Sequence, residues 1–258
     1  LVNGWTVDGT AAQSENNRLA VEWFEQTLGR ALCEVEEDFK SYRISEACMT
    51  LYKLFWDEFS GLYLEMVKPA YGQPIDEKTF EETREFFDKL MRMLHPFMPF
   101  VTEEIWQDLA PRADGESICV TAMPTSTPED ARILNRFELA REVISSVRNI
   151  RNQKGLAQKE ELTLRVISDA NYPAEYAPVI EKMANLSAIE IVTEKDPTAA
   201  AFIVKTTQYF IPMSGKIDVE AERKKLTDDL AYYEGFLASV MKKLSNERFV
   251  AKAPEAVI

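Results

Sequence analysis

Histidine occurs once in 258 residues, at position 95, and cysteine three times, at 33, 48 and 119, far apart and without CxxC spacing. A single histidine excludes the paired and multi-histidine constellations of most zinc hydrolases and of di-iron bundles. The residue three before it is Arg92, not a carboxylate. Three scattered cysteines indicate neither a disulfide framework nor a zinc site and fit a reduced, cytoplasmic setting. No run approaches the roughly eighteen apolar residues of a membrane span, and the opening LVNGWTVDGT lacks both the basic and the apolar region of a secretory signal. The chain begins on Leu rather than Met, so a piece of something longer is expected. Positive charge is also scarce: 30 Lys and Arg against 43 Asp and Glu give a formal charge of −13. Charge of that sign repels phosphate at long range and, taken alone, disfavours nucleic acid as a partner.

What is present is helical period. Residues 1–14 carry two glycines and no repeat, and read as an irregular lead-in. From Glu15 to Tyr42, Val21, Phe24, Leu28, Ala31, Val35, Phe39 and Tyr42 recur in steps of three and four, which predicts a long amphipathic helix. Ser45 is a candidate cap for a second helix, presenting Cys48, Leu51, Tyr52, Phe55, Phe59, Leu62, Tyr63 and Met66 before Pro69 and Gly72 stop it. Thr79 and Glu82 have capping-box spacing and predict a third helix through Phe86, Phe87, Leu90 and Leu94. Pro96 and Pro99 break the chain before a short helix through Ile105, Trp106 and Leu109. Four helices with short connections predict an antiparallel bundle over 15–115. Trp23, Phe24, Phe39, Tyr52, Phe55, Trp56 and Phe59, together with Cys33 and Cys48, are expected in its core, and His95 in a core or capping role.

A small α+β unit is predicted over 116–215: a β-like run from Ile118 to Ala122, a helix opened by Thr127 and Pro128 and closed at Lys154 and Gly155, and a mostly antiparallel sheet. Its strands are expected at Leu162–Ile167, Ile189–Val192, Phe202–Thr206 and Tyr209–Pro212, with a helix around Ala177–Met183. From 216 to 258 the spacing of Leu226, Leu230, Tyr233, Leu237, Val240 and Leu244 is an a/d seam of about three heptads. One such stripe cannot bury itself, so a coiled-coil arm truncated after its first helix is expected. The fold class is therefore mainly α, with a bundle, a small α+β unit and a long heptad helix.

These segments resemble a known family. HPFMPFVTEEIW (95–106) is similar to the segment closing the anticodon-binding bundle in the tRNA synthetases for valine, isoleucine, leucine and methionine. YRISEACMTLYKLFWDEFSGLYLEMVKPAYGQPID (42–76) and KLSNERFVAKAPEAV (243–257) resemble bacterial-type valyl-tRNA synthetases, the latter at their C-terminal coiled coil. The likeness covers nearly the whole chain in the same order. The family's HIGH and KMSKS signatures and its editing domain are absent from these residues, so the resemblance implies a tRNA-binding piece that needs no cofactor, with ATP and magnesium used by a catalytic domain upstream. It further implies a cytoplasmic protein whose partners are valine tRNA and that domain, with neither membrane nor DNA involved. The other reading of the sequence is an acidic bundle and coiled-coil scaffold for protein association.

By the same resemblance, Leu64 and Glu65 fall at positions that touch anticodon bases. Valine anticodons end in A and C; an ionised carboxylate accepts from the exocyclic amine each presents, and a leucine offers an apolar platform. Lys68, one turn on, suits a loop phosphate, or simply the negative end of its helix. Between 141 and 159 five basic residues face one acid, and Arg148, Arg151 and Lys154 share a helical face that could follow a tRNA stem, remain solvated, or dock an acidic neighbour. Lys242 and Lys243, near the expected hairpin tip, suit the outer corner of tRNA. The charge divides unevenly: 1–115 holds 11 basic and 22 acidic residues, 216–258 holds eight of each. The net charge therefore weighs against indiscriminate RNA binding rather than against reading one tRNA.

Overall fold

In the computed structural model, residues 4–125, 129–213 and 219–245 are described, with the side chains of 219–226, 243 and 244 left aside. The chain forms two compact units, 1–212 and 213–258. The helical and α+β parts expected to divide at 115 thus lie within one unit.

α1 (Glu15–Lys40) is capped by Ser14, whose hydroxyl accepts from the Asn17 amide, and it buries Leu19, Trp23, Phe24, Leu28, Ala31 and Val35 along one face. α2 (Ile44–Lys53) begins after Arg43 without a side-chain cap; Ser45 lies inside its first turn. The helix then widens into a π-helical stretch, Leu54–Tyr63, and returns to α geometry as α3 (Leu64–Val67). Buried positions along this rod are Ala47, Leu51, Leu54, Phe59, Tyr63, Met66 and Val67, and the step from 54 to 59 is five residues. An i→i+5 turn requires that step, and it rotates the apolar face by one position. Trp56, inside this stretch and expected in the core, consequently stands 62% exposed, whereas Tyr52, also expected there, is 58% exposed because it lies in regular α2 beside the buried face of Ala47, Leu51 and Leu54.

α4 (Glu77–Leu94) is capped by Asp76, which accepts from the Thr79 amide, so Thr79 lies in the first turn rather than at the cap. The lead-in contributes β1 (Val7–Asp8), paired in parallel with β2 (Ile75–Asp76). α5 (Pro99–Leu109) follows a proline-fixed start, and Ile118–Val120 is a short 3₁₀ turn rather than a strand. Cys33 and Cys48, read as core fillers, are exposed. The bundle core is aromatic: Phe24 lies 4.8–5.3 Å, centroid to centroid, from Phe59, Tyr63 and Phe86. Each such fully buried ring contributes about 1.5–3 kcal/mol by removal from water.

α6 (Ala131–Lys154) starts at an Asp130 cap and ends on Gly155 in the left-handed region, φ 65°, the conformation that favours glycine at this position. The proposed cap at Thr127 falls outside the described residues. α6 joins the two textures of the chain, since Phe137 stacks on Trp23 of α1 at 4.1 Å and meets Tyr176 edge-on at 5.4 Å. Beyond it, β3 (Leu162–Ile167), α7 (Ala177–Ala184), β4 (Leu186–Ile191), β5 (Ala200–Val204) and β6 (Thr207–Ile211) form a sheet of order β4-β3-β6-β5. β3 and β4 are parallel across the α7 crossover, and the other two pairings are antiparallel. Alternate residues of β3, Leu162, Leu164 and Val166, are buried, as a sheet with one covered face requires.

In the second unit, α8 spans Val219–Leu244. Leu230, Tyr233 and Leu237 of the expected seam are exposed. Residues 246–258, with the rest of the proposed hairpin tip, lie outside the described set. Among the described residues, no helix is long and apolar enough to cross a membrane.

Candidate nucleic-acid interface

Leu64, Glu65 and Lys68 sit where the π-helical stretch hands over to α3. The Leu64 amide donates to the Phe59 carbonyl, the last five-residue bond, and the Lys68 amide donates to the Leu64 carbonyl at 2.9 Å before Pro69 ends the helix. The wide turn thus sets the azimuth of the residues after it, and π turns are frequent at functional sites. Leu64 is half-buried; Glu65 and Lys68 are exposed. The Lys68 ammonium donates to the Glu65 carboxylate at 3.2 Å, with about half of each side chain in water.

Below this exposed pair the support is firm. Met66 and Val67 are buried, and Tyr63 is fully enclosed. The Tyr63 hydroxyl bonds Thr83 on α4 at 2.7 Å; because the Thr83 hydroxyl already donates to the Thr79 carbonyl, Tyr63 is the donor. Burial raises its phenol well above the ordinary tyrosine range. The helix end carries carbonyls without intrahelical partners, and two side chains from elsewhere supply donors. Asn16 of α1 donates to the Met66 carbonyl at 2.8 Å, and Lys182 of α7 donates to the carbonyls of Met66 at 2.6 Å and Lys68 at 2.7 Å. Local burial pushes the Lys182 ammonium below the usual lysine range, with the Glu65 charge pulling the other way. A cleft beside the helix end is lined by Asn16, Asn17, Val67, Pro69, Asp76 and Lys182.

The basic stripe of α6 has a different arrangement. Arg151 is 1% exposed, and its guanidinium donates to the carbonyls of Ala157, Glu160, Ala184 and Asn185 at 2.6–3.1 Å. A group with that burial and those four partners is not available to an RNA phosphate, and the expectation for Arg151 is corrected: it docks the negative end of α7. Arg148 is exposed and donates to the Met183 carbonyl of the same helix at 2.8 Å. Arg141 pairs with Glu58 of the π-helical stretch. Lys154 is half-buried at the end of α6. Arg148 and Arg151 dock a neighbouring helix end through its backbone carbonyls, which is none of the three alternatives as read from sequence. In the second unit the side chain of Lys242 is exposed, and that of Lys243 lies outside the description.

His95 occupies the C-cap of α4. The Thr102 hydroxyl donates to the Met98 carbonyl at 2.8 Å, so it accepts from His95 Nδ1–H at 2.8 Å and leaves Nε2 to accept from the Cys119 thiol at 3.1 Å. That tautomer is assigned from the bonding network. Among the described residues no group of three or more His, Cys, Asp or Glu side chains is placed to hold a metal ion. The residues that sequence reasoning missed are Asn16 and Lys182. A lysine in the last turn of α7 suits that helix's own dipole, and nothing in the spacing announces that its ammonium crosses to α3.

Comparison with known proteins adds independent information. Residues 21–168 match the model of the anticodon-binding domain of tRNA ligases, a match that runs from α1 through the bundle and α6 to the start of the loop after β3. Residues 218–258 match the tRNA-binding arm of valyl tRNA synthetase. The chain is 52% identical over 258 residues to a valine--tRNA ligase of Parabacteroides distasonis and 53% identical to one of Phocaeicola vulgatus, in each case over 100% of this chain and 29% of the relative. A more distant similarity is to the valine--tRNA ligase of Nocardia farcinica, 37% over 254 residues, covering 93% of this chain and 27% of the relative. The chain therefore spans under a third of the length of these curated relatives.

Proposed function

Since the chain belongs to the family of anticodon-binding domains of tRNA ligases, we propose that it is the tRNA-reading part of a valine--tRNA ligase. The bundle meets the valine anticodon at Leu64 and Glu65, and the arm meets the outer corner of the tRNA through Lys242 and Lys243. The observation that carries this reading is the exposed Glu65–Lys68 pair, presented at a helix end whose next residues are buried.

The chemistry is an exchange of partners. An exposed ion pair is worth only about 0–1 kcal/mol, so Glu65 gives up Lys68 at small cost and accepts from the exocyclic amine of an anticodon adenine or cytosine. Lys68 then turns to a phosphate of the loop, and the half-buried Leu64 offers an apolar surface to an unstacked base. Arg148 and Lys154 lie in the same compact unit as backbone contacts of secondary weight, one of them shared with the Met183 carbonyl. This stretch supplies recognition and carries out no bond-making of its own. Aminoacylation with ATP and magnesium belongs to a catalytic domain earlier in the longer chain. The setting is cytoplasmic, and neither membrane nor DNA is a partner.

The test is an equilibrium titration of the chain with labelled valine tRNA and with versions altered at the last two anticodon bases, at two salt concentrations. Weak, salt-sensitive binding that falls on anticodon change is expected; equal binding of unrelated tRNAs would sink the anticodon reading. Exposure of Leu230, Tyr233 and Leu237 favours a second reading, a scaffold that associates through the seam. It predicts self-association in the ultracentrifuge that disappears when Leu230 and Leu237 are replaced by charged residues, together with no RNA binding.

A further inference from the structure

We propose that Lys182 is a positioning residue of the anticodon reader: by holding the carbonyls of Met66 and Lys68, it fixes the helix end from which Leu64 and Glu65 project. The proposal rests on the reading of the preceding subsection and adds to it a residue of the crossover helix α7, 114 positions from Lys68.

Three observations support it. First, the carbonyl of Met66 is shared by two donors from different elements, Asn16 of α1 and Lys182 of α7, while Lys182 alone reaches on to Lys68, past the last helical residue. The chain at Lys68 has already left helical geometry, ψ 123°, so the bond to its carbonyl fixes the exit of the chain and with it the base of the Glu65–Lys68 pair. Second, α7 is itself anchored. Arg151, buried on α6, bonds the Ala184 and Asn185 carbonyls at the C-terminus of α7, and Arg148 bonds Met183 beside Lys182. Two cation-to-carbonyl clamps therefore stand in series, from α6 to α7 and from α7 to α3. Third, the Lys182 residue as a whole is exposed although its ammonium reaches both carbonyls, so it contributes little to the core. Its work is local to the helix end.

A positioning role predicts a loss of discrimination rather than of overall affinity. Backbone contacts to phosphate give binding that is blind to the anticodon, whereas a base contact requires the carboxylate in register. Removing a charged donor from two carbonyls at an exposed site should lower the preference for valine tRNA over an anticodon-altered tRNA about fivefold. Lys182→Arg keeps a donor of similar reach and should restore most of it.

The experiment titrates the full chain and its Lys182→Met and Lys182→Arg variants with valine tRNA and with a tRNA altered at the last two anticodon bases. Amide exchange at Met66–Lys68 is followed in parallel. The expected result is reduced discrimination by Lys182→Met with binding of the altered tRNA unchanged, faster exchange at those amides, and recovery of both in Lys182→Arg. If Lys182→Met discriminates as well as the unaltered chain, or weakens both tRNAs equally, the proposal is overturned while the anticodon reading stands. If the unaltered chain itself does not discriminate, the anticodon reading fails, and this assignment of Lys182 fails with it.

Discussion

Arg151 on α6 and Lys68 just beyond α3 are both cations at the C-terminal end of a helix. The first is 1% exposed with four carbonyl partners, and the second is half in water with a single carboxylate three residues back. In sequence they look alike, each a basic residue in or just past the last turn, where the helix dipole favours positive charge. The difference lies in what the remainder of the chain brings to them. Around Arg151 the loop at 157–160 and the end of α7 close over the guanidinium, and desolvation lowers its pKa from the usual arginine range. Around Lys68, among the described residues, no element closes over the ammonium, which pairs with Glu65 half in water. Buried Arg151 holds elements together, whereas exposed Lys68 has a local partner three residues away.

Removing the buried cation should have the largest effect. Arg151→Met leaves four carbonyls short of a donor and should lower the stability of the 1–212 unit by about 3 kcal/mol, a fall in Tm on the order of 10 °C for a unit of this size. Thermal unfolding followed by circular dichroism checks it; a drop under a degree would place Arg151 with the surface charges and dissolve the contrast. Next comes Glu65→Ala, which should weaken valine tRNA binding about tenfold, the value of one lost contact to a base edge, at nearly unchanged Tm. Lys68→Ala should weaken all tRNAs to a similar degree and reduce the steepness of the salt dependence by about one counterion. Arg148→Ala, exposed on the same α6 face as Arg151, should cost about 1 kcal/mol or less in chemical denaturation. A cost equal to that of Arg151→Met would mean that burial is not what separates them.

The smallest expected effect concerns acid. Two threonine hydroxyls, from Thr206 and Thr207, hold the Asp169 carboxylate below the ordinary aspartate value of 3.8. A depressed folded-state pKa adds stability that is complete above the unfolded value and disappears as pH falls through the lower, native one. Asp169→Asn should therefore lower stability slightly at neutral pH and flatten the acid limb of a stability-versus-pH curve, so that the two proteins converge below about pH 4.

The fold was legible in sequence where period was regular. α1, the end of α6 at Gly155, and β3 match their expected bounds closely, because each depends on local spacing or on a residue with one backbone preference. Trp56 was misplaced because a π turn changes the spacing to five without any residue that marks it, and Tyr52 because it stands one position off the buried Ala47–Leu51–Leu54 face. At the candidate site, Leu64, Glu65 and Lys68 were found through a likeness in motif, and the structure places them together at one helix end. The stripe of Arg148, Arg151 and Lys154 had the right spacing for a shared face, but a face shows only what is side by side. What covers it depends on α7, and the contacts Arg151 makes with Ala184 and Asn185 lie 33 and 34 residues away. Lys182 was invisible for the same reason at greater range.

Glu65 on this reading takes a base amine rather than supporting the bundle. A double-mutant cycle tests it: binding of the unaltered chain and of Glu65→Ala to valine tRNA and to a tRNA in which one anticodon base amine has been replaced by a carbonyl. If the carboxylate takes that amine, the base change costs the unaltered chain about tenfold and costs Glu65→Ala almost nothing further. Equal losses in both proteins, at each of the last two anticodon positions, would contradict it.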